Sequence, residues 1–235
     1  MAYIYEYIRT RGTKPLHFEE HYARLEELSR SVFMLPLATS REEMKRMITS
    51  KLKSAGYTST ATNAVCVKID PLSDSPHIEI EEIMYDTFAL RAIRPQGVPF
   101  SVGQNTISEN TSAREALIEF NRTTSHVTDE GVAVWINEDD EVVAIDGASV
   151  IAVFEDEIRF SGRCLGFESE LAYQILSEKA NNVTRGTIHR SEVATAKELL
   201  GIDHRGILAL DRFDSCYYMD ITAEKIAALV AEVEK

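Results

Sequence analysis

Four short apolar runs follow one another after residue 130. They are Gly131-Val-Ala-Val-Trp-Ile136, Glu141-Val-Val-Ala-Ile-Asp146, Ala148-Ser-Val-Ile-Ala-Val-Phe154 and Glu157-Ile-Arg-Phe-Ser-Gly162. Each is rich in β-branched residues and too short for a helix. Acidic or small turns separate them: Asn137 to Asp140, the Asp146-Gly147 pair, and Glu155 to Glu157. Such spacing predicts an antiparallel meander.

The flanking sequence has a different texture. Residues 3–9, YIYEYIR, read as a strand, followed by a turn at 11–15. Phe18, Tyr22, Leu25, Leu28 and Val32 then recur at helical spacing, which predicts an amphipathic helix ended near Pro36. Ser40-Arg-Glu-Glu43 has the form of a capping box, and Met44, Met47, Ile48 and Leu52 share one face of the helix behind it. Residues 61–70 read as a strand and residues 77–94 as extended chain. A second capping box, Ser112-Ala-Arg-Glu115, opens a helix expected to bury Ala113, Ala116, Leu117 and Phe120. Helices are further expected at 168–180, from Ser191 through Leu200, and over the last fourteen residues. Strands are expected at VTRGTIH, GILAL and SCYYMDI. Helices and strands mix without βαβ regularity, so the fold class is α+β in two subdomains. The expected division is a smaller N-terminal α+β subdomain over 1–95, a linker over 96–111 holding two glycines and a proline, and a larger β-rich subdomain over 112–235.

Composition removes several function classes. The net charge is −13, which disfavours nucleic acid and anionic membranes as partners. No apolar run approaches the ~18 residues that a membrane span needs. The N-terminus lacks a basic region followed by an apolar segment, so a cytoplasmic location is expected. Cys66, Cys164 and Cys216 are far apart and unpaired in pattern, which argues against disulfides and structural zinc. The six histidines show no metal-binding spacing, and there is no nucleophile elbow, P-loop or dinucleotide fingerprint.

Two segments carry a resemblance. Tyr5-Glu6-Tyr7-Ile8-Arg9 and, after a turn, His21-Tyr22-Ala23-Arg24-Leu25 with Ser29 resemble the opening of the class IV pyridoxal-phosphate (PLP) enzymes. That family includes branched-chain and D-amino-acid aminotransferases and aminodeoxychorismate lyase. The helix from Ser112, the ribbon 131–153, the turn and helix from Leu165, and the segment 191–207 follow in the family's order. The resemblance therefore covers nearly the whole chain. It implies the two-subdomain class IV fold, PLP as cofactor, a homodimer, and a cleft between the subdomains.

The same resemblance exposes a deficit. The family's Schiff-base lysine precedes the helix that begins here at Ser112, and Ser108 stands at its expected place, beside Glu109 and Asn110. Nine lysines are spread over the chain, yet none lies between Ile69 and Glu178. A serine hydroxyl cannot form an imine with an aldehyde. The other cofactor positions are degenerate too. The glutamate that pairs with the pyridine nitrogen falls at Ala144, with Asp146 close by as a substitute. The phosphate-binding turn reads Gly166-Phe167-Glu168, and a later threonine falls at Asp203. Each carboxylate ~4 Å from a phosphate costs roughly 1 kcal/mol in water and roughly 4 at an effective dielectric near 20.

The expectation is a class IV aminotransferase-like protein without aldimine chemistry. No catalytic residue is assigned, and PLP is not expected to be held covalently. A small carboxylate or amino acid is the expected ligand, with Arg9, Arg24, Ser108 and Asn110 lining its site, because arginine suits a carboxylate. Two alternatives stand beside it. One is an active transaminase or lyase with a non-standard lysine. The other is a regulatory partner that dimerises with an active paralogue.

Overall fold

A computed structural model describes residues 2–57, 62–103, 109–123, 131–163 and 166–234. The chain divides into two compact units: residues 1–87 with 109–115, and residues 88–108 with 116–235.

In the first unit, β1 (Ile4–Arg11), β2 (Lys14–Pro15), α1 (Phe18–Phe33), α2 (Arg41–Ser54), β3 (Thr62–Ile69) and β4 (His77–Glu82) follow in order. The antiparallel sheet runs β2-β1-β3-β4, with Ile4 opposite Ile69 and Arg11 opposite Thr62. Alternation along β1 points Ile4 and Ile8 to the face where Phe18, Tyr22 and Leu25 of α1 and Met44, Ile48 and Leu52 of α2 close the core. Tyr5 and Tyr7 take the other face, their rings in edge contact at 5.6 Å. Ser40 caps α2 as expected, its hydroxyl accepting from the Glu43 amide at 3.3 Å.

The second unit contains β5 (Gln96–Ser101), most of α3 (Ser112–Thr123), β6 (Gly131–Ile136), β7 (Val142–Ile145), β8 (Ser149–Val153), β9 (Ile158–Ser161) and α4 (Phe167–Lys179). It continues with β10 (Val183–Gly186), α5 (Arg190–Val193), β11 (Glu198–Asp203), β12 (Gly206–Ala209), β13 (Arg212–Phe213), β14 (Cys216–Tyr217) and α6 (Ile221–Val233). Two five-stranded sheets form, ordered β14-β13-β5-β6-β7 and β10-β9-β8-β11-β12. Val134 and Ile145 of one and Val150, Ala152 and Leu199 of the other share a core. Ile151, Leu200 and Ile202 face the opposite way, onto Ala172 and Leu176 of α4 and Ile226 and Val230 of α6. Trp135 and Ala144 pack with Leu117 and Ile118 of α3 on the outer side of the first sheet.

Several expectations change. The stretch 96–111 is not simply a linker: β5 pairs in parallel with β6 from Gln96–Gly131 to Ser101–Ile136. The four apolar runs are not one meander. They divide between the two sheets at the Asp146-Gly147 turn, where both residues have positive φ (50° and 76°) as a two-residue hairpin loop of this type requires. Residues 198–200, expected to end a helix, instead begin the strand β11 (Glu198–Asp203). β11 is an interior strand of its sheet, between β8 and β12, and is buried on both faces, so its sequence lacks the alternation that marks a strand. What remains of the expected helix is α5, whose preceding His189 amide donates to Glu192 at 3.0 Å.

Helix α3 is rotated from its expected face. Arg114 and Asn121 are buried, with Leu117 and Ile118 half-buried between them, whereas Ala113 and Ala116 are exposed and Phe120 is 54% exposed. Glu115 was expected to close a capping box with Ser112. Its carboxylate accepts from the Tyr3 hydroxyl and pairs with Lys68 at 3.1 Å.

Gly206 turns the β11–β12 hairpin at φ +115°, and a Cβ there would run into the Ala89 carbonyl oxygen. Gly206→Ala is therefore expected to destabilise by more than about 1 kcal/mol, because backbone strain and a rigid backbone neighbour add. Urea denaturation checks this; an unchanged midpoint would contradict the turn geometry.

Candidate functional site

In the first unit two of the expected site residues gather on a residue to which the sequence assigned no role. Glu6 lies on β1 between Ile4 and Ile8, on the face that packs against α1, and is buried. Its Oε1 meets His21 Nδ1 at 2.8 Å and accepts from Arg24 Nε at 3.2 Å. Its Oε2 accepts from Asn110 Nδ2 at 3.0 Å. His21 and Arg24 are three apart on α1 and so share a face. Burial alone would push the Glu6 carboxyl up. The hydrogen bond from His21, the Arg24 guanidinium and the Asn110 amide outweigh it, and the carboxyl titrates below its usual range. The one available signal was a lone carboxylate at an inward position of an apolar strand.

Arg24 and Asn110 are thus brought together through Glu6. Asn110 is further fixed because its carbonyl accepts from the Tyr5 amide at 2.9 Å. Arg9 is buried too, but strand alternation sets it on the opposite face, with Tyr5 and Tyr7. Ser108 lies outside the described residues. On that same face Cys66 is paired with Tyr7 across the strands, and burial pushes its thiol up to about 12, which removes it as a nucleophile at neutral pH. Lys68 is its neighbour one step along the face. Its Nζ lies 3.0 Å from Glu79 and 3.1 Å from Glu115, and 5.4 Å above the Tyr3 ring.

In the second unit, two of the positions that carry cofactor contacts in the resemblance hold one ionic chain. Arg122 grips Asp146 with two bonds, 3.2 and 3.1 Å. Arg205 Nη2 bridges Asp146 at 3.3 Å and Asp203 at 2.6 Å, and Arg91 closes on the other Asp203 oxygen. Burial opposes ionisation of Asp203, yet the Arg205 and Arg91 charges hold its carboxyl well below the usual range.

Ala144 is a fully buried methyl in the cluster with Val102, Trp135 and Val143. A register shift where β6 meets β7 sets Val143 and Ala144 on that same side. Gly166 precedes α4 and donates its amide to Ser149 Oγ at 2.9 Å. Phe167 opens the helix, and Glu168 is 95% withdrawn from solvent in its first turn. Among the described residues no group of histidine, cysteine, aspartate or glutamate could hold a metal, and no helix is long and apolar enough to cross a membrane.

No protein-family model and no curated protein matches the sequence. Solved structures do match. A candidate branched-chain amino acid aminotransferase from Thermotoga maritima superposes with a TM-score of 0.79 at 14% identity, over 99% of this chain and 86% of that one. A candidate 4-amino-4-deoxychorismate lyase from Legionella pneumophila gives 0.79 at 14%, over 99% and 91%. The PLP-bound form of a hypothetical aminotransferase from Mycobacterium tuberculosis gives 0.76 at 10%, over 99% and 88%. Identities this low carry the fold across and not the activity. The chain has the fold of the class IV aminotransferases, which a 4-amino-4-deoxychorismate lyase-like structure shares.

Proposed function

We propose that this chain keeps the class IV fold without PLP aldimine chemistry and binds a small carboxylate or amino acid through arginine. The observation that carries the reading is the absence of lysine from Ile69 to Glu178, the whole region that would supply the Schiff-base amine. Without that amine there is no covalent attachment and no base of the family's kind.

The remaining positions support the same reading, because they do not fit a phosphorylated pyridine. Where a carboxylate would face the ring nitrogen there is the Ala144 methyl. Asp146, the nearest substitute, is engaged by two arginines. Glu168 puts a buried carboxylate in the first turn of α4, where a phosphate would need helix amides to itself. Asp203 adds a second anion, already matched by Arg91 and Arg205. The resemblance implies an arginine in the phosphate cup at Arg24, and its Nε is already engaged by Glu6. The ligand assignment is part of this proposal and rests on the resemblance and on the fit of arginine to carboxylate. It keeps Arg24 and Asn110, which Glu6 holds together, with Ser108, while Arg9, on the opposite face of β1, stands apart from them. The homodimer likewise rests on the resemblance.

One observation favours a second reading, an active enzyme with a displaced lysine. Lys68 reaches from β3 to Glu115 in the first turn of α3, the helix that the family's lysine precedes. Both of its carboxylate partners would have to release the ammonium before it could attack an aldehyde. Titrating the purified protein with PLP separates the two. The first reading predicts an absorption spectrum that stays that of free PLP and is lost on dialysis. A Schiff-base band that K68A abolishes would establish the second.

A further inference from the structure

The sheet edges are not equally protected. β4 ends the sheet of the first unit and carries Glu79, Glu81 and Glu82, charges of the kind that keep an edge from pairing. β12 ends one sheet of the second unit, and the chain at Ala89 to Arg91 covers it. The Ile207 amide donates to the Ala89 carbonyl at 3.0 Å, and the Arg91 amide donates to the Ile207 carbonyl at 2.8 Å. β10 ends the same sheet on its other side, and no described residue pairs with its outer edge.

The backbone groups of β10 divide by parity. Its pairing with β9 is parallel: the Asn182 carbonyl accepts from the Ile158 amide at 2.9 Å, and the Gly186 carbonyl accepts from the Gly162 amide at 3.1 Å. Even-numbered residues therefore turn their backbone groups to β9, and Val183 and Arg185 turn theirs outward. The side chains that could guard this edge are drawn off it. Arg185 lies 4.2 Å from the Tyr173 ring centroid and donates to Glu170 at 2.8 Å, both on α4. The Thr184 hydroxyl donates to Glu157. Residues 181–187 contain neither proline nor lysine, and a Cβ on Gly186 would meet nothing within 4 Å.

Such an edge matches a second copy of itself. Antiparallel pairing about a two-fold axis at Thr184 sets Val183 of each copy opposite Arg185 of the other. Both residues have outward backbone groups, so the two pairs exchange four hydrogen bonds. Thr184 meets its own counterpart as a non-hydrogen-bonded pair, a favourable cross-strand match. Moving the axis to Arg185 would oppose two guanidinium groups, and moving it to Val183 would set Arg185 against Asn181, beyond the end of the strand.

We infer that β10 is a self-association edge that joins two copies of this chain through one continuous sheet. This goes beyond the proposed function, in which the homodimer has no surface assigned, and it depends neither on PLP nor on the carboxylate ligand.

Sedimentation equilibrium of the full chain, from micromolar to millimolar concentration, tests it. A monomer–dimer equilibrium is expected. R185P removes the outward amide and keeps the bonds to β9, so it should weaken the dimer roughly tenfold or more. R185A keeps that amide and should stay within about threefold of wild type. Circular dichroism checks the fold of both. T184C decides the register, and decides the matter should R185P misfold. Its Cα atoms would lie about 4.5 Å apart across the axis, within reach of a disulfide, so oxidation should give a cross-linked dimer that wild type does not give. A chain that stays monomeric, a dimer that R185P leaves unchanged, or a T184C dimer that does not cross-link would each overturn the assignment. A dimer with either of the last two results would lie on another surface, and the proposed function would stand apart from the failure.

Discussion

Replacing Asp203 by alanine is expected to destabilise the second unit by about 3 kcal/mol, the range found when one partner of a buried ion pair is removed. The reason is what stays behind. Arg91 and Arg205 both pair with Asp203, and their side chains are only 15% and 26% exposed. Arg205 would keep Asp146 at 3.3 Å, while Arg91 would lose the only ion-pair partner recorded for it among the described residues. D203N tests shape against charge: it preserves volume, so a loss close to that of D203A would assign the effect to charge. The pH dependence has a definite sign. A carboxyl held below its unfolded value contributes fully above that value and loses its contribution as pH falls through the folded one. The wild-type advantage over D203N should therefore be constant from neutral pH down to about 4 and shrink below it. Urea denaturation across that range measures it, and an advantage that grew on acidification would contradict the arrangement.

Glu6→Ala should have an effect of similar size on the first unit, about 3 kcal/mol. Glu6 is the shared acceptor of His21, Arg24 and Asn110. Its removal leaves a guanidinium, an imidazole and an amide around a buried gap. E6Q keeps the volume but reverses part of the donor–acceptor pattern, since an amide nitrogen must then face a donor. Because the Glu6 carboxyl also titrates below its usual range, its contribution is again present at neutral pH and lost only in acid. An E6A midpoint within ~0.5 kcal/mol of wild type would show that the cluster is incidental to folding.

What the sequence disclosed follows from the range over which each signal acts. α1 and α2 were legible because each is amphipathic by itself: Phe18, Tyr22 and Leu25 recur at helical spacing, and all three are in the core. β1, although buried on both faces, was legible from its run of aromatic and β-branched residues between turn signals. β11 was not, because Leu199 and Leu200 are buried on opposite faces of an interior strand, and an apolar run of that kind has no period to read. Helix α3 misled for another reason. Hydrophobicity pointed Ala113, Ala116 and Phe120 inward, while the structure spends the inward face on Arg114 and Asn121.

The candidate site divides in the same way. The lysine deficit is a property of composition and was readable without coordinates. The use made of Asp146 and Asp203 was not, because Arg91 and Arg122 lie far from them in sequence. Glu6 was visible inside the motif that carried the resemblance, yet its role as the acceptor for Arg24 and Asn110 needed the strand register and the α1 packing.

A class IV fold without an internal aldimine is tested most directly by borohydride reduction of the protein with PLP, followed by mass-spectrometric peptide mapping. No phosphopyridoxyl-lysine is expected above the scattered background of exposed lysines. Stoichiometric labelling of one lysine, Lys68 above all, would contradict it and make the protein an active-site variant of the enzymes whose fold it shares.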